Sequence, residues 1–138
     1  MKRIFVDTNV LLDLLLKRRN FSKDAEELFY YCKKKGITPH ISSLSIATIN
    51  YILSKIFSEK EVREKLEIIY QLVSILPFNK EIVFSAHHSS FKDLEDAFQY
   101  FTAKKNNIPV IITRNQKDFL VDNISIVDIK EFFNTLAK

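Results

Sequence analysis

The sequence predicts an α/β domain, a parallel sheet with helices on both faces. Two observations predict it. Short apolar runs rich in β-branched residues recur along the 138 residues, and amphipathic segments of helical spacing separate them. Parallel neighbours need crossover connections of that kind, and helices in the crossovers cover both faces of the sheet. No linker, repeat or change of composition divides the chain, so one domain over 1–138 is expected.

The elements follow in order. Ile4–Val6 reads as a buried strand, with a helix beginning near Asn9. Phe21, Ala25, Leu28 and Cys32 recur at helical spacing, with Ser22 as the expected N-cap and Gly36 as the stop. Thr38–Ser42 is the second strand. Ser58 and Glu61 form a capping box ahead of Val62, Leu66, Ile69 and Val73. Asn79 caps a helix carrying Ile82, Val83 and Ala86, and another helix runs from about Asp93 to Lys105. Pro109 then leads into the strand Val110–Thr113, and Ile124–Val127 is the last strand.

Composition removes several function classes. Gly36 is the only glycine, which excludes the glycine-rich loops of P-loop and dinucleotide-binding enzymes. Cys32 is the only cysteine, so there is no internal disulfide and no CxxC metal site; its helix face predicts a buried, inert thiol. Asp7 and Asp13 interrupt the first apolar run, which therefore does not read as a signal segment. No stretch approaches the roughly 20 apolar residues that span a bilayer, and a cytoplasmic protein is expected. Residues 1–35 carry nine Lys/Arg against five Asp/Glu, while the remainder carries twelve of each. That surplus suits a polyanion such as RNA or an acidic protein, and a solvated helix surface would give the same count. The twelve Phe read as core packing, and adjacent His87 and His88 as surface residues.

Chemistry is expected where open α/β sheets place it, beyond the carboxyl ends of the strands. Asp7 directly follows the first strand, and Asp118 follows "VIIT" by a short turn. Asp93 and Asp96 share one helix face at i, i+3. Carboxylates gathered at one point raise each other's pKa unless a cation joins them. Oxygen-only ligands select Mg²⁺ or Mn²⁺, and one or two such ions can activate water for phosphate displacement. Each acid also has a plain structural reading: Asp7 as a helix cap, Asp93 with Asp96 as an N-cap and N3 pair, and Asp118 as a loop acid. Asp13 fits a solvated position paired with Lys17 at i+4.

The segments "VDTNVLLDLL", "ISSLSIATINYIL", "DLEDAFQYFTA" and "IITRNQKDF", in this order, resemble the PIN domain. They are most similar to the VapC-type toxin ribonucleases of bacterial toxin–antitoxin pairs. The likeness runs from Phe5 to about Val127. It implies a three-layer α/β/α sandwich with a central parallel sheet of four to five strands. It also implies Mg²⁺- or Mn²⁺-dependent RNA cleavage, a homodimer, and inhibition by a cognate antitoxin. By position, Asp7, Asp96 and Asp118 match the family's metal-binding acids and Asp93 an auxiliary catalytic acid. Asn9, Thr113 and Asn115 match the polar residues around them, and Lys17, Arg18, Arg19 and Arg114 are candidates for holding RNA.

One position departs from the family pattern. Where the helix after the second strand usually carries Glu, Thr48 stands, and Asn50 lies about 200° further round the helix. A PIN-like module that binds RNA or protein with weak or lost catalysis is therefore the alternative. A phosphatase of the haloacid dehalogenase type also begins with a strand ending in Asp, but Asn9 occupies the position of its second Asp.

Overall fold

The computed structural model describes residues 1–114 and 124–136. They form strands β1 (Arg3–Val6), β2 (Thr38–Ser42), β3 (Ser74–Leu76), β4 (Val110–Ile112) and β5 (Ser125–Val127). The helices are α1 (Thr8–Leu15), α2 (Ser22–Lys35), α3 (Ser43–Ser54), α4 (Glu59–Leu72), α5 (Lys80–His87), α6 (Leu94–Lys105) and α7 (Ile129–Leu136). All strand pairs are parallel, in the order β3-β2-β1-β4-β5. The chain thus builds one half of the sheet, crosses back past β1, and builds the other.

Strand alternation divides the core in two. Ile4 and Val6 of β1, with Val110 and Ile112 of β4, point to the face covered by α1, α2, α3, α4 and α7. Phe5 and Ile111 point to the opposite face, where Tyr100 and Ala103 of α6 meet Leu76, Ile108 and Ile124. α5 packs beside α6 on that side. Helices on both faces of a five-stranded parallel sheet make the expected α/β/α sandwich.

Local chemistry accounts for most element ends. Ser58 accepts from the Glu61 amide while Glu61 accepts from the Ser58 amide, completing the capping box. Asn79 caps α5 by accepting from the Ile82 amide. Gly36 ends α2 in the left-handed region at φ 70°, where its amide reaches the Cys32 carbonyl. A Cβ there would meet no atom of the described residues within 4 Å. Gly36→Ala should therefore cost only the backbone term, about 1 kcal/mol in a denaturant melt, with no change in activity.

Three details differ from the expectation. Ser22 is the first residue of α2 rather than its cap; Phe21 holds the cap position without a side-chain bond. β3 and α7 fall outside the expected set. β3 is a three-residue edge strand with Ser74 and Ile75 exposed, too short to show a period. α7 does carry helical spacing in Ile129, Phe132, Phe133 and Leu136, and buries Phe132. His87 and His88 are exposed at the end of α5, and Cys32 is buried, as expected. Burial pushes the Cys32 thiol up to about 11, which makes it inert at neutral pH.

Candidate active site

The strand order reverses between β1 and β4, so a crevice opens at their carboxyl ends. Val6 lies beside Ile112 in the ladder, which carries Asp7 and Thr113 out of the sheet side by side. The Asp7 amide still donates to the Ile112 carbonyl (3.0 Å). Its carboxylate is held at both oxygens: Oδ1 accepts from the Thr8 amide (2.8 Å) and Oδ2 from the Thr113 hydroxyl (2.8 Å). Asp7 thus caps α1 and also sits at the point where this topology places chemistry.

Only 8% of Asp7 is exposed. Desolvation raises its pKa above the ordinary value, and the nearby charge of Asp13 adds to the rise. The bonds from Thr113 and Thr8 and the charge of Arg114 oppose it. The groups acting on Asp7 are hydroxyl, amide, guanidinium and carboxylate, a setting that fits a hard, oxygen-seeking cation.

The second acidic group comes from the start of α6. Asp93 Oδ1 accepts from the Glu95 amide (2.9 Å) and the Asp96 amide (3.2 Å), so it serves as the N-cap. Asp96, half-buried, is the third residue of the helix. Glu95 was not among the expected site residues. It keeps solvent contact, yet partial desolvation, then the negative charges of Asp7 and Asp93, raise its pKa. The clue in the sequence is spacing, because Glu95 is one turn before Gln99 and shares its face. Asp118 and Asn115 lie outside the described residues. Among the described residues, no three His, Cys, Asp or Glu side chains are grouped closely enough to hold a metal ion.

Thr48 on α3 donates its hydroxyl to the Leu44 carbonyl one turn back (3.3 Å). Asn50 points elsewhere, into a groove lined by Ser54, Phe57 and Val62 between α3 and α4. Asn9, half-buried, is the second residue of α1.

Asp13 corrects an expectation: it is 2% exposed and does not pair with Lys17. Arg114 clamps it from both oxygens, Nε to Oδ2 at 2.9 Å and Nη2 to Oδ1 at 3.0 Å, and stacks over the Phe21 ring at 4.0 Å. Arg18 Nη1 adds a third contact at 3.3 Å. The helix spacing that placed Asp13 near Lys17 could not show a partner 101 residues away. Lys17, with φ 51°, has left α1 and lies exposed with Arg19 in the turn before α2.

Behind Asp7 lies a polar group that no sequence pattern singled out. The Thr8 and Ser45 hydroxyls share a 2.7 Å hydrogen bond, and the Gln99 amide donates to Ser45 Oγ (3.3 Å). All three side chains are buried.

The pattern of the PIN domain family matches residues 3–117. Ribonuclease VapC1 of Aquifex aeolicus is 34% identical over 146 residues, covering 98% of each chain. Among solved structures, DNA-bound VapBC from Salmonella typhimurium superposes with a TM-score of 0.72 at 17% identity, over 94% of this chain and 99% of that one. VapBC2 from Rickettsia felis, bound to a promoter DNA fragment, gives 0.68 at 21% identity, over 90% and 96%. FitAcB from Neisseria gonorrhoeae gives 0.67 at 17% identity, over 92% and 98%. At these identities the solved structures establish the fold.

Proposed function

Because the chain belongs to the PIN domain family and is closely related to the VapC-type toxin ribonucleases, we propose that it is a metal-dependent endoribonuclease, the toxin of a toxin–antitoxin pair. The observation that carries this reading is Asp7, a buried carboxylate fixed at both oxygens where the strand order reverses. Asp7, Asp96 and Asp118 would hold Mg²⁺ or Mn²⁺, with Asp93 as an auxiliary acid. Such an ion, when bound, supplies an activated water and screens the charge of the scissile phosphate.

The chain's own residues perform the rest. Thr8 and Thr113 orient the Asp7 carboxylate, and its desolvation makes it costly to leave without a cation. Thr113, Asn9, Asn115 and Thr48 are the polar residues expected around the ligands. Lys17 and Arg19, free in solvent on the α1–α2 turn, offer cations to an RNA backbone. Arg18 and Arg114 keep part of their guanidinium exposed while bound to Asp13, so they can add to that field.

An antitoxin partner is supported by an apolar groove of about 380 Å³ between α1, α2 and α4. Leu14, Leu15, Phe29 and Ile68 line it, and Lys17, Lys33 and Lys65 outnumber Glu26 among its charged residues, which suits an acidic amphipathic segment. Homodimer formation belongs to the same reading, and exposed Tyr51, Ile56 and Tyr70 on the α3–α4 hairpin offer an apolar face. No helix among the described residues is long and apolar enough to cross a membrane.

The test is cleavage of single-stranded RNA by the wild type with Mg²⁺ or Mn²⁺. Cleavage that stops on chelation and in Asp96→Asn is the expected result; no cleavage with either ion rejects the reading. Asp93→Asn keeps the cap while removing the charge, so it separates the two roles of that residue. An unchanged rate would leave Asp93 with the cap alone.

The engagement of Thr48 within its own helix favours one competing reading, a binding module with little catalysis. In an active enzyme, Thr48→Glu should tighten Mn²⁺ binding about tenfold, or ~1.4 kcal/mol, in a calorimetric titration. A silent wild type that Thr48→Glu turns into a nuclease would establish the binding module instead.

A further inference from the structure

We propose that Gln99 is a positioning residue: through Ser45 and Thr8 it fixes the start of α1, and with it Asp7, against the acid-bearing end of α6. What is positioned rests on the metal-centre reading above; the positioning itself rests on the hydrogen bonds.

Gln99 is 2% exposed, Thr8 5% and Ser45 0%. Gln99 Nε2 lies 3.3 Å from Ser45 Oγ and 3.5 Å from Thr8 Oγ1, and the two hydroxyls bond each other at 2.7 Å. One side chain each from α1, α3 and α6 therefore meets at a single buried point. Thr8 joins that point to the site directly, because its backbone amide donates to Asp7 Oδ1. Gln99 joins it to the acids, because Glu95 and Asp96 stand one turn earlier on the same helix face.

The arrangement is poor as pure core packing. Among the described residues Gln99 Oε1 is buried with no hydrogen-bond partner, and an unsatisfied buried carbonyl destabilises the fold. An apolar side chain of the same length would fill the space without that penalty. Apolar contacts, however, are non-directional and let a helix slide along its neighbour. A hydrogen bond to a hydroxyl fixes α6 in register with α1. Metal sites need their ligands held within fractions of an ångström, and residues behind the ligands supply that precision.

Two variants of the full chain test this, Gln99→Met and Gln99→Leu, the second in case the first fails to fold. Two readouts are taken. In the metal-free protein, exchange of the Thr8 amide should speed up about tenfold while the Val62 amide, on α4, which carries none of the three bonded side chains, keeps the wild-type rate. In the same protein, Mn²⁺ affinity read by electron paramagnetic resonance should weaken about tenfold while the melting temperature holds or rises.

An unchanged Thr8 amide overturns the inference, whatever the metal does. So does a uniform rise in exchange with a falling melting temperature, which is the signature of a merely structural residue. A wild type that binds no Mn²⁺, with Thr8 still responding in the variants, overturns the metal-centre reading and leaves the positioning role standing.

Discussion

Replacing Asp7 by Asn should lower metal-dependent RNA cleavage by roughly a hundredfold or more and, at neutral pH, raise the melting temperature of the metal-free protein. The opposite signs share one cause. Asp7 is buried, and desolvation holds its pKa above the ordinary carboxylate value of 3.8. The folded protein then holds this proton more tightly than the unfolded chain does. The contribution of Asp7 to stability is full below the ordinary carboxylate range and is lost as pH rises through the raised value. Burial makes the ionised form of this carboxyl costly in the metal-free fold, and asparagine removes that cost while still accepting from the Thr8 amide. A divalent cation should relieve the same penalty in the wild type. Added Mn²⁺ should therefore raise the wild-type melting temperature and leave Asp7→Asn unmoved, as a thermal-shift series from pH 4 to 8 would show.

Asp13→Ala should be among the most destabilising single changes at the carboxyl edge of the sheet. Asp13 is 2% exposed and takes both arms of Arg114 as well as one of Arg18. Removing it strands a guanidinium that keeps only partial solvent contact. Breaking a buried pair costs about 3–5 kcal/mol, and the exposed part of Arg114 places this case near the lower end. For a domain of this length that is on the order of 10 °C in melting temperature. Asp13→Asn should lose less, since its carbonyl can still accept from Arg114. The loss should reach activity as well, because Arg114 directly follows Thr113, the residue that donates to Asp7. A melting temperature within 2 °C of wild type for Asp13→Ala, roughly the effect of half a kcal/mol, would contradict this.

Local pattern carried the fold a long way. The capping box at Ser58, the cap at Asn79, the left-handed stop at Gly36 and the four expected strand runs are each decided by a few neighbouring residues, and each stands where expected. β3 is set by its pairing with β2 rather than by its own three residues, so nothing local announced it. At the site, Asp7 was legible because a strand ends there. The spatial roles were not. Asp13 looked solvated because its partner Arg114 follows β4, and Gln99 looked like any helix residue because Thr8 and Ser45 meet it only in the folded chain. Helix and strand periods report which face is buried, but not which polar residues meet across it.

On this reading Asp7 joins acids from α6 and from beyond β4 around one hard cation. A crystal grown with Mn²⁺ and measured at the manganese absorption edge tests it most directly. An anomalous peak about 2.1 Å from an Asp7 carboxylate oxygen, with Asp96 or Asp118 completing the coordination, is expected. Saturating Mn²⁺ with no peak at Asp7, or peaks only at surface carboxylates, would contradict it.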